Sequence, residues 1–242
     1  MAVQPFRTPM KRLFLPILLT TAAACTKSST PLPAPEPATY RITFEATWSP
    51  ATHPQAYPAG AHFSRLIGVA HNRVQGACAG PCDLSVLFRP GTLASPGLRD
   101  MAERGDNTVL RAEIQAQQPP RLAVADVFES RLPYIYSPGR FVDTVQVDGQ
   151  HPLVSAVSMI APSPDWFVAL EAQTLLDEQG RWQAHLSVPA RSYDAGTDSG
   201  PAFASPDQPT APAQPVALIR SGPLAPAGSG TPLGIFHLER IR

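Results

Sequence analysis

Three aspartates in two short segments carry the clearest chemistry in this sequence. Asp165 lies in Pro162-Ser-Pro-Asp-Trp166. The two prolines restrict the backbone on both sides of Ser163 and hold it extended. Asp165 is therefore expected at a rigid strand entry, with Trp166 beginning the strand. Asp194 and Asp198 stand four residues apart in Tyr193-Asp-Ala-Gly-Thr-Asp-Ser-Gly200, where Gly196 and Gly200 permit sharp turns. Loop carboxylates among glycines suit a hard cation such as Ca²⁺, which takes roughly six to eight oxygen ligands at ~2.3–2.6 Å. The loop is no EF-hand, because the twelfth place counted from Asp194 is Ser205 rather than glutamate. The same pattern also serves a local purpose: aspartates close Asx-turns by accepting backbone N–H groups. Spacing leaves both readings open.

Other chemistries find less support. Asp194-Ala-Gly-Thr and Asp198-Ser-Gly superficially resemble an aspartic-protease signature, which needs two carboxylates sharing a proton in an apolar setting. Ala195 replaces the hydroxyl residue, and Arg191-Ser192-Tyr193 is a poor apolar lead-in. There is no Gly-x-Ser-x-Gly nucleophile elbow. None of the six histidines (His53, His62, His71, His151, His185, His237) forms a His-Glu-x-x-His pair. The only lysines are Lys11 and Lys27, so a folded region beyond Lys27 has no Schiff-base or P-loop lysine. With 19 basic and 19 acidic residues, no net positive field exists to bind nucleic acid. The expectation is a protein that is not an enzyme.

The first 24 residues read as an address. Arg7, Lys11 and Arg12 precede the apolar run Leu13 to Leu19, and small residues lead into Cys25. The run is too short to cross a bilayer, which takes about 20 apolar residues, and it fits a secretory signal. Cys25 at the cut resembles a bacterial lipobox, with Ala22 where leucine is commoner. That resemblance implies lipidation of Cys25, and Thr26 in place of aspartate favours the outer membrane. An ordinary signal peptide is the alternative. Cleavage would leave 16 basic against 19 acidic residues, a balance of −3. Pro31, Pro33, Pro35 and Pro37 alternate, so residues 25–38 read as a lipidated cysteine followed by an extended polyproline stalk. Cys78 and Cys82 are expected to close a small disulfide loop in an oxidising envelope. A redox motif would need Cys-x-x-Cys spacing, and zinc would need two further ligands.

Elements must hold these loops, and the rest of the chain reads as strands. Thr39 to Trp48 alternates: Tyr40, Ile42, Phe44, Ala46 and Trp48 share one face, while Arg41, Thr43, Glu45 and Thr47 share the other. Further strands are expected at Phe63–Ala70, Leu84–Phe88, Thr108–Ala116, Arg140–Val147, Leu153–Ile160, Trp166–Leu175, Trp182–Val188, Val216–Ile219 and Ile235–Ile241. One helix is expected at Pro96–Arg104, where Leu98, Met101 and Ala102 share a face. The 29 prolines argue against a helical bundle. The spacing predicts an all-β antiparallel sandwich or barrel. Residues 200–214 and 221–232, rich in Pro, Gly, Ala and Ser, read as surface loops.

Four segments resemble the spondin N-terminal (F-spondin) domain family: Ala61 to Asn72, Gly91 to Gly105, His151 to Val168, and Asp194 to Phe203. With the flanking strands they cover residues 39–242. The resemblance implies a C2-like antiparallel β-sandwich and one Ca²⁺ held by the positions of Asp165, Asp194 and Asp198. It implies a further acidic ligand near Gln146, with Asp148 nearby. Gln146 offers only a neutral amide oxygen, and affinity follows ligand charge count, so Kd is expected at ~10⁻⁴–10⁻³ M or weaker. The Cys78–Cys82 segment departs from the family pattern. The function so implied is a lipid-anchored envelope module for adhesion or recognition of a surface protein or glycan. Calcium-dependent phospholipid binding is the alternative, weakened by the absence of a basic cluster.

Overall fold

The structure is a computed structural model that describes residues 35–54, 57–72, 84–118, 123–221, 224 and 232–242. The expectations for Cys25, the signal, most of the stalk and the Cys78–Cys82 pair fall outside the described residues. No helix among the described residues is long and apolar enough to cross a membrane.

The fold is an all-β sandwich with a third layer of two short helices. The four-stranded sheet has the order β6 (Gly139–Val147), β1 (Ala38–Ala46), β12 (Gly234–Arg240), β9 (His185–Pro189), all antiparallel. The larger sheet has the order β11 (Ala217–Leu218), β10 (Arg191–Asp194), β8 (Trp166–Thr174), β7 (Leu153–Ala161), β2 (His62–Ser64), β5 (Tyr134–Tyr136). Along the other half of β7 lies β3 (Ile67–His71), which pairs in turn with β4 (Val124–Glu129).

β1 follows its alternation: Tyr40, Ile42, Phe44, Ala46 and the succeeding Trp48 are buried, while Arg41 and Glu45 face solvent. These side chains meet Phe236 and Leu238 from β12, and Phe63, Val154, Ile160 and Val168 from the larger sheet, in one core. The larger sheet buries its other face too. Ile67, Val69, Val157, Phe167 and Ala169 pack there against α1 (Pro96–Arg104) and α2 (Thr108–Gln115) through Leu98, Met101, Leu110 and Ile114. This explains β7, buried at all nine positions: it lies in the middle layer and must be apolar or internally satisfied on both faces.

Two expected strands are corrected. Thr108–Ala116 is a helix, not a strand. Its apolar residues fit both periods, but the buried pair is Leu110 and Ile114, one helical turn apart. Ala112, Glu113 and Gln115 between and beside them are good helix formers. Leu84–Phe88 has no strand; Leu87 and Phe88 are instead buried beneath the helical layer. The described residues therefore form two helices where one was expected. Strands β4, β5 and β10 were not anticipated.

Candidate functional site

The three aspartates are brought to one end of the larger sheet. Asp165 ends the turn joining β7 to β8, and that turn is tied to the strand by Trp166 N donating to Ser163 Oγ at 3.1 Å. Asp194 ends β10, paired in register with Trp166. Asp198 follows in the next loop and forms an isolated bridge with Pro209.

Asp165 has no exposed surface. Its Oδ2 accepts from Thr197 N at 2.6 Å, Asp198 N at 3.1 Å and Thr197 Oγ1 at 3.2 Å. Its backbone oxygen accepts from Ala195 N at 3.1 Å. Asp165 thus clamps the 194–200 loop from inside. Its Oδ1 is buried with no hydrogen-bond partner among the described residues. Burial, and after it the neighbouring Asp194 charge, push its pKa from 3.8 up to about 6 against the three opposing hydrogen bonds.

Asp194 and Asp198 do close Asx-turns, as one of the two sequence readings predicts. Asp194 Oδ1 accepts from Gly196 N at 2.8 Å, and Asp198 Oδ1 from Gly200 N at 2.7 Å. Asp194 Oδ2 also accepts from Trp166 Nε1 at 3.2 Å, and Asp198 Oδ2 from Gln208 N at 2.9 Å. Burial is the main cause that raises the Asp194 carboxyl above its ordinary value, and Asp198 adds to it. Gly196 has φ of +75°, and a Cβ there would lie 2.1 Å from Gln214 O, so the turn requires glycine.

Among the described residues, none of the three carboxylates has a salt-bridge partner. Equally, among those residues no group of three His, Cys, Asp or Glu is gathered in a metal-holding arrangement. The donor set still fits a hard cation. It offers only oxygens, two of the acids are raised by burial, and one buried oxygen is unmatched. Backbone oxygens and water would complete the shell.

Gln146 is not part of this cluster. Its N–H donates to Asp126 Oδ2 at 2.7 Å. Asp126 pairs with Ala70, Ala70 with Val154, and Val154 with Gln173. Gln173 lies seven residues along β8 from Trp166, roughly 20 Å at strand rise. Gln146, on β6 of the smaller sheet, thus sits at the opposite end of the sandwich. Asp148 is spent there too, accepting from Gln150 N and His151 N at 2.8 and 2.9 Å.

Several participants were not singled out from sequence. Trp166 is a buried core residue whose indole N–H also reaches Asp194. Thr197 donates twice to Asp165, inside a motif noted only for its acids and glycines. Residues 200–214 are indeed irregular, but Phe203 anchors them by packing on Trp166 and Trp48 with ring centroids 5.4 and 5.3 Å apart. Trp166, Asp194, Asp198, Gln214 and Arg220 line an open cleft of about 440 Å³. The same end of the sheet continues through Ala161 to His62 and Tyr136, which pair in register. The exposed rings of Tyr134 and Tyr136 lie 5.3 Å apart there, with His62 5.6 Å from Tyr134.

The profile of the Spondin_N family matches residues 38–229. The chain is 39% identical over 210 residues to Spondin-2 of Homo sapiens, covering 85% of this chain and 58% of that one. It is 32% identical over 214 residues to Spondin-1 of Rattus norvegicus, covering 84% of this chain and 25% of that one. Similarity to Spondin-1 of Gallus gallus is 31% over 187 residues, 76% of this chain and 22% of that one. The chain thus spans about three-fifths of Spondin-2 and a quarter of Spondin-1.

Proposed function

The chain belongs to the Spondin_N family, and on that premise we propose that it is an extracellular recognition or adhesion module whose binding rim is ordered by one calcium ion. The observation that carries the calcium reading is the buried Oδ1 of Asp165, unpartnered among the described residues, in a cluster of acids that has no cationic partner among them. Asp165, Asp194 and Asp198 would hold the ion. Bound there, Ca²⁺ supplies positive charge that compensates the buried carboxylates. The chain's own part is positional. Asp165 fixes Thr197 and Asp198, Asp194 fixes Gly196, and Asp198 fixes Gly200 and Gln208.

The loops so fixed lie in one row with the cleft and with the exposed Tyr134–Tyr136 pair. That row presents aromatic and polar groups together, the composition favoured where a protein or glycan docks. Lipidation of Cys25, followed by the proline-rich stalk, would tether the module to an outer membrane. Beyond residue 24 the chain carries 16 basic against 19 acidic residues, so its net charge gives little attraction to an anionic lipid surface. No catalytic role is proposed.

The test is thermal unfolding of the protein in chelator, then in millimolar calcium or magnesium. Calcium should raise the midpoint and magnesium should not. Asp194→Ala and Asp198→Ala should each abolish the calcium response while still unfolding cooperatively. A calcium response retained in both variants would remove the site assignment.

A further inference from the structure

We propose that the outer face of the four-stranded sheet carries a second metal site, independent of the acidic loops: a two-histidine seat for a late first-row ion such as Zn²⁺ or Cu²⁺, made by His185 and His237 and oriented by Glu45.

The register builds it. His237 on β12 pairs with Ser187 on β9, and His185 lies two residues from Ser187 on the same face. Both rings converge on one point: His185 Nε2 is 3.0 Å and His237 Nδ1 is 2.9 Å from the same Ser187 Oγ. The rings are near-parallel, 26° apart, with centroids separated by 6.2 Å.

Glu45 settles which nitrogen is available. His237 Nε2 lies 3.1 Å from Glu45 Oε2. An ionised carboxylate only accepts, so Nε2 carries the proton and donates it. In the neutral ring Nδ1 is then the acceptor, its lone pair aimed at Ser187 Oγ. A carboxylate holding the far N–H of an imidazole is the outer partner that metal-bound histidines regularly use, and it raises ligand basicity. Across the strand, Ser187 has one hydroxyl proton and satisfies one of the two rings as donor. His185 Nε2 must therefore donate to Oγ in the metal-free protein, and a metal ion can take that place when the ring changes tautomer and carries its one proton on Nδ1.

Imidazole nitrogens favour zinc, copper and nickel, at ~2.0–2.1 Å for zinc, and Ca²⁺ prefers oxygen. The nitrogens lie 3.0 and 2.9 Å from Ser187 Oγ, so an ion between them requires each ring to close in by about 1 Å, with Ser187 Oγ shifting beside it. His185 and Ser187 are exposed and His237 is partly so, so entry does not open the core. Among the described residues no third His, Cys, Asp or Glu joins them, so the remaining ligands are the Ser187 hydroxyl and water. Affinity should be lower than at a closed four-ligand zinc site.

The test uses the full chain without a purification tag, saturated with calcium and titrated with Zn²⁺ by calorimetry. The expected result is a binding event that weakens at least tenfold in His185→Ala and in His237→Ala. Glu45→Gln should weaken it roughly 10–100-fold. Asp194→Ala should leave it unchanged. Zinc binding that survives the His185→Ala/His237→Ala double variant, or that is lost in Asp194→Ala, overturns the assignment. Electron paramagnetic resonance of bound Cu²⁺ reads the ligands without mutation: coupling to imidazole nitrogen is expected, and its absence overturns the site. Neither readout depends on the calcium reading being correct.

Discussion

Asp165 is a carboxylate that the fold buries completely and satisfies on only one oxygen. Without a cation, its charged form is costly in the folded state, and its pKa rises from 3.8 to about 6. Between those values the folded protein binds more protons at this group than the unfolded chain does. Stability from Asp165 is therefore full below pH 3.8 and lost as pH rises through about 6. The effect is at most ~3 kcal/mol. Asp165→Asn removes the charge and keeps one oxygen to accept from Thr197 and Asp198. In chelator at pH 7 the variant should be at least as stable as the native protein. The difference between the two should shrink as pH falls from 7 to 4, as read by denaturant unfolding. A variant less stable by an amount independent of pH would mean that Asp165 is ionised without strain. In sequence, Asp165 was legible as a rigidly placed acid because prolines flank it. Its unpartnered oxygen was not, because solvation depends on Thr197 and Asp198, more than thirty residues away. Gln146 misled for a related reason: its place in the chain says nothing of which end of the sheet it reaches.

At the scale of elements, sequence was most informative where one face is wet. β1 alternates because it is an outer layer, and its pattern is unambiguous. β7 is recognisable as a strand, yet its uniform burial hides that a third layer exists. α2 was misread for the same reason. With an unseen sheet face needing cover, Leu110 and Ile114 fit alternate positions of a strand as well as one turn of a helix. What decides is contact with α1. Ser95 caps α1 by accepting from Leu98 N at 3.1 Å, and Glu113 of α2 accepts from Ser95 Oγ and Gly97 N at 2.6 and 2.8 Å. A Cβ on Gly97 would lie 2.4 Å from Leu110 Cα, so the helices meet backbone to backbone. Gly97→Ala should force them apart and cost on the order of 2 kcal/mol, lowering the melting midpoint by roughly 4–8 °C. Its calcium response should persist, since the acidic loops are on other elements. Gly196→Ala should behave differently. The strained φ and the overlap with Gln214 O act on the site loop itself. A midpoint drop of similar size is expected, together with a weaker calcium response. Equal calcium responses in the two variants would mean that the 194–200 turn does not shape the site.

Across the whole molecule, the larger sheet separates two cores, one shared with the smaller sheet and one with the helices. β7 and β8 run through both, so unfolding one core exposes the other, and a single cooperative transition follows. Calcium at the rim then stabilises the whole by linkage: saturation to 100 times Kd adds ~2.7 kcal/mol, or roughly 5–11 °C at this size. Global stabilisation alone does not locate the ion, but local opening does. Hydrogen exchange measured with and without calcium should show the greatest added protection at Gly196, Thr197, Asp198, Gly200 and Gln208, whose N–H groups the three aspartates accept. The turn at Gln150 and His151 belongs to the opposite end, where Asp148 accepts instead. Its exchange, governed by local fraying, should not change. Protection centred there would return the metal to the Gln146–Asp148 region. Uniform protection confined to the core amides would mean that calcium acts without ordering the rim. In that case the Tyr134–Tyr136 end could recognise its partner with no metal present, and calcium dependence of binding would disappear while binding remained.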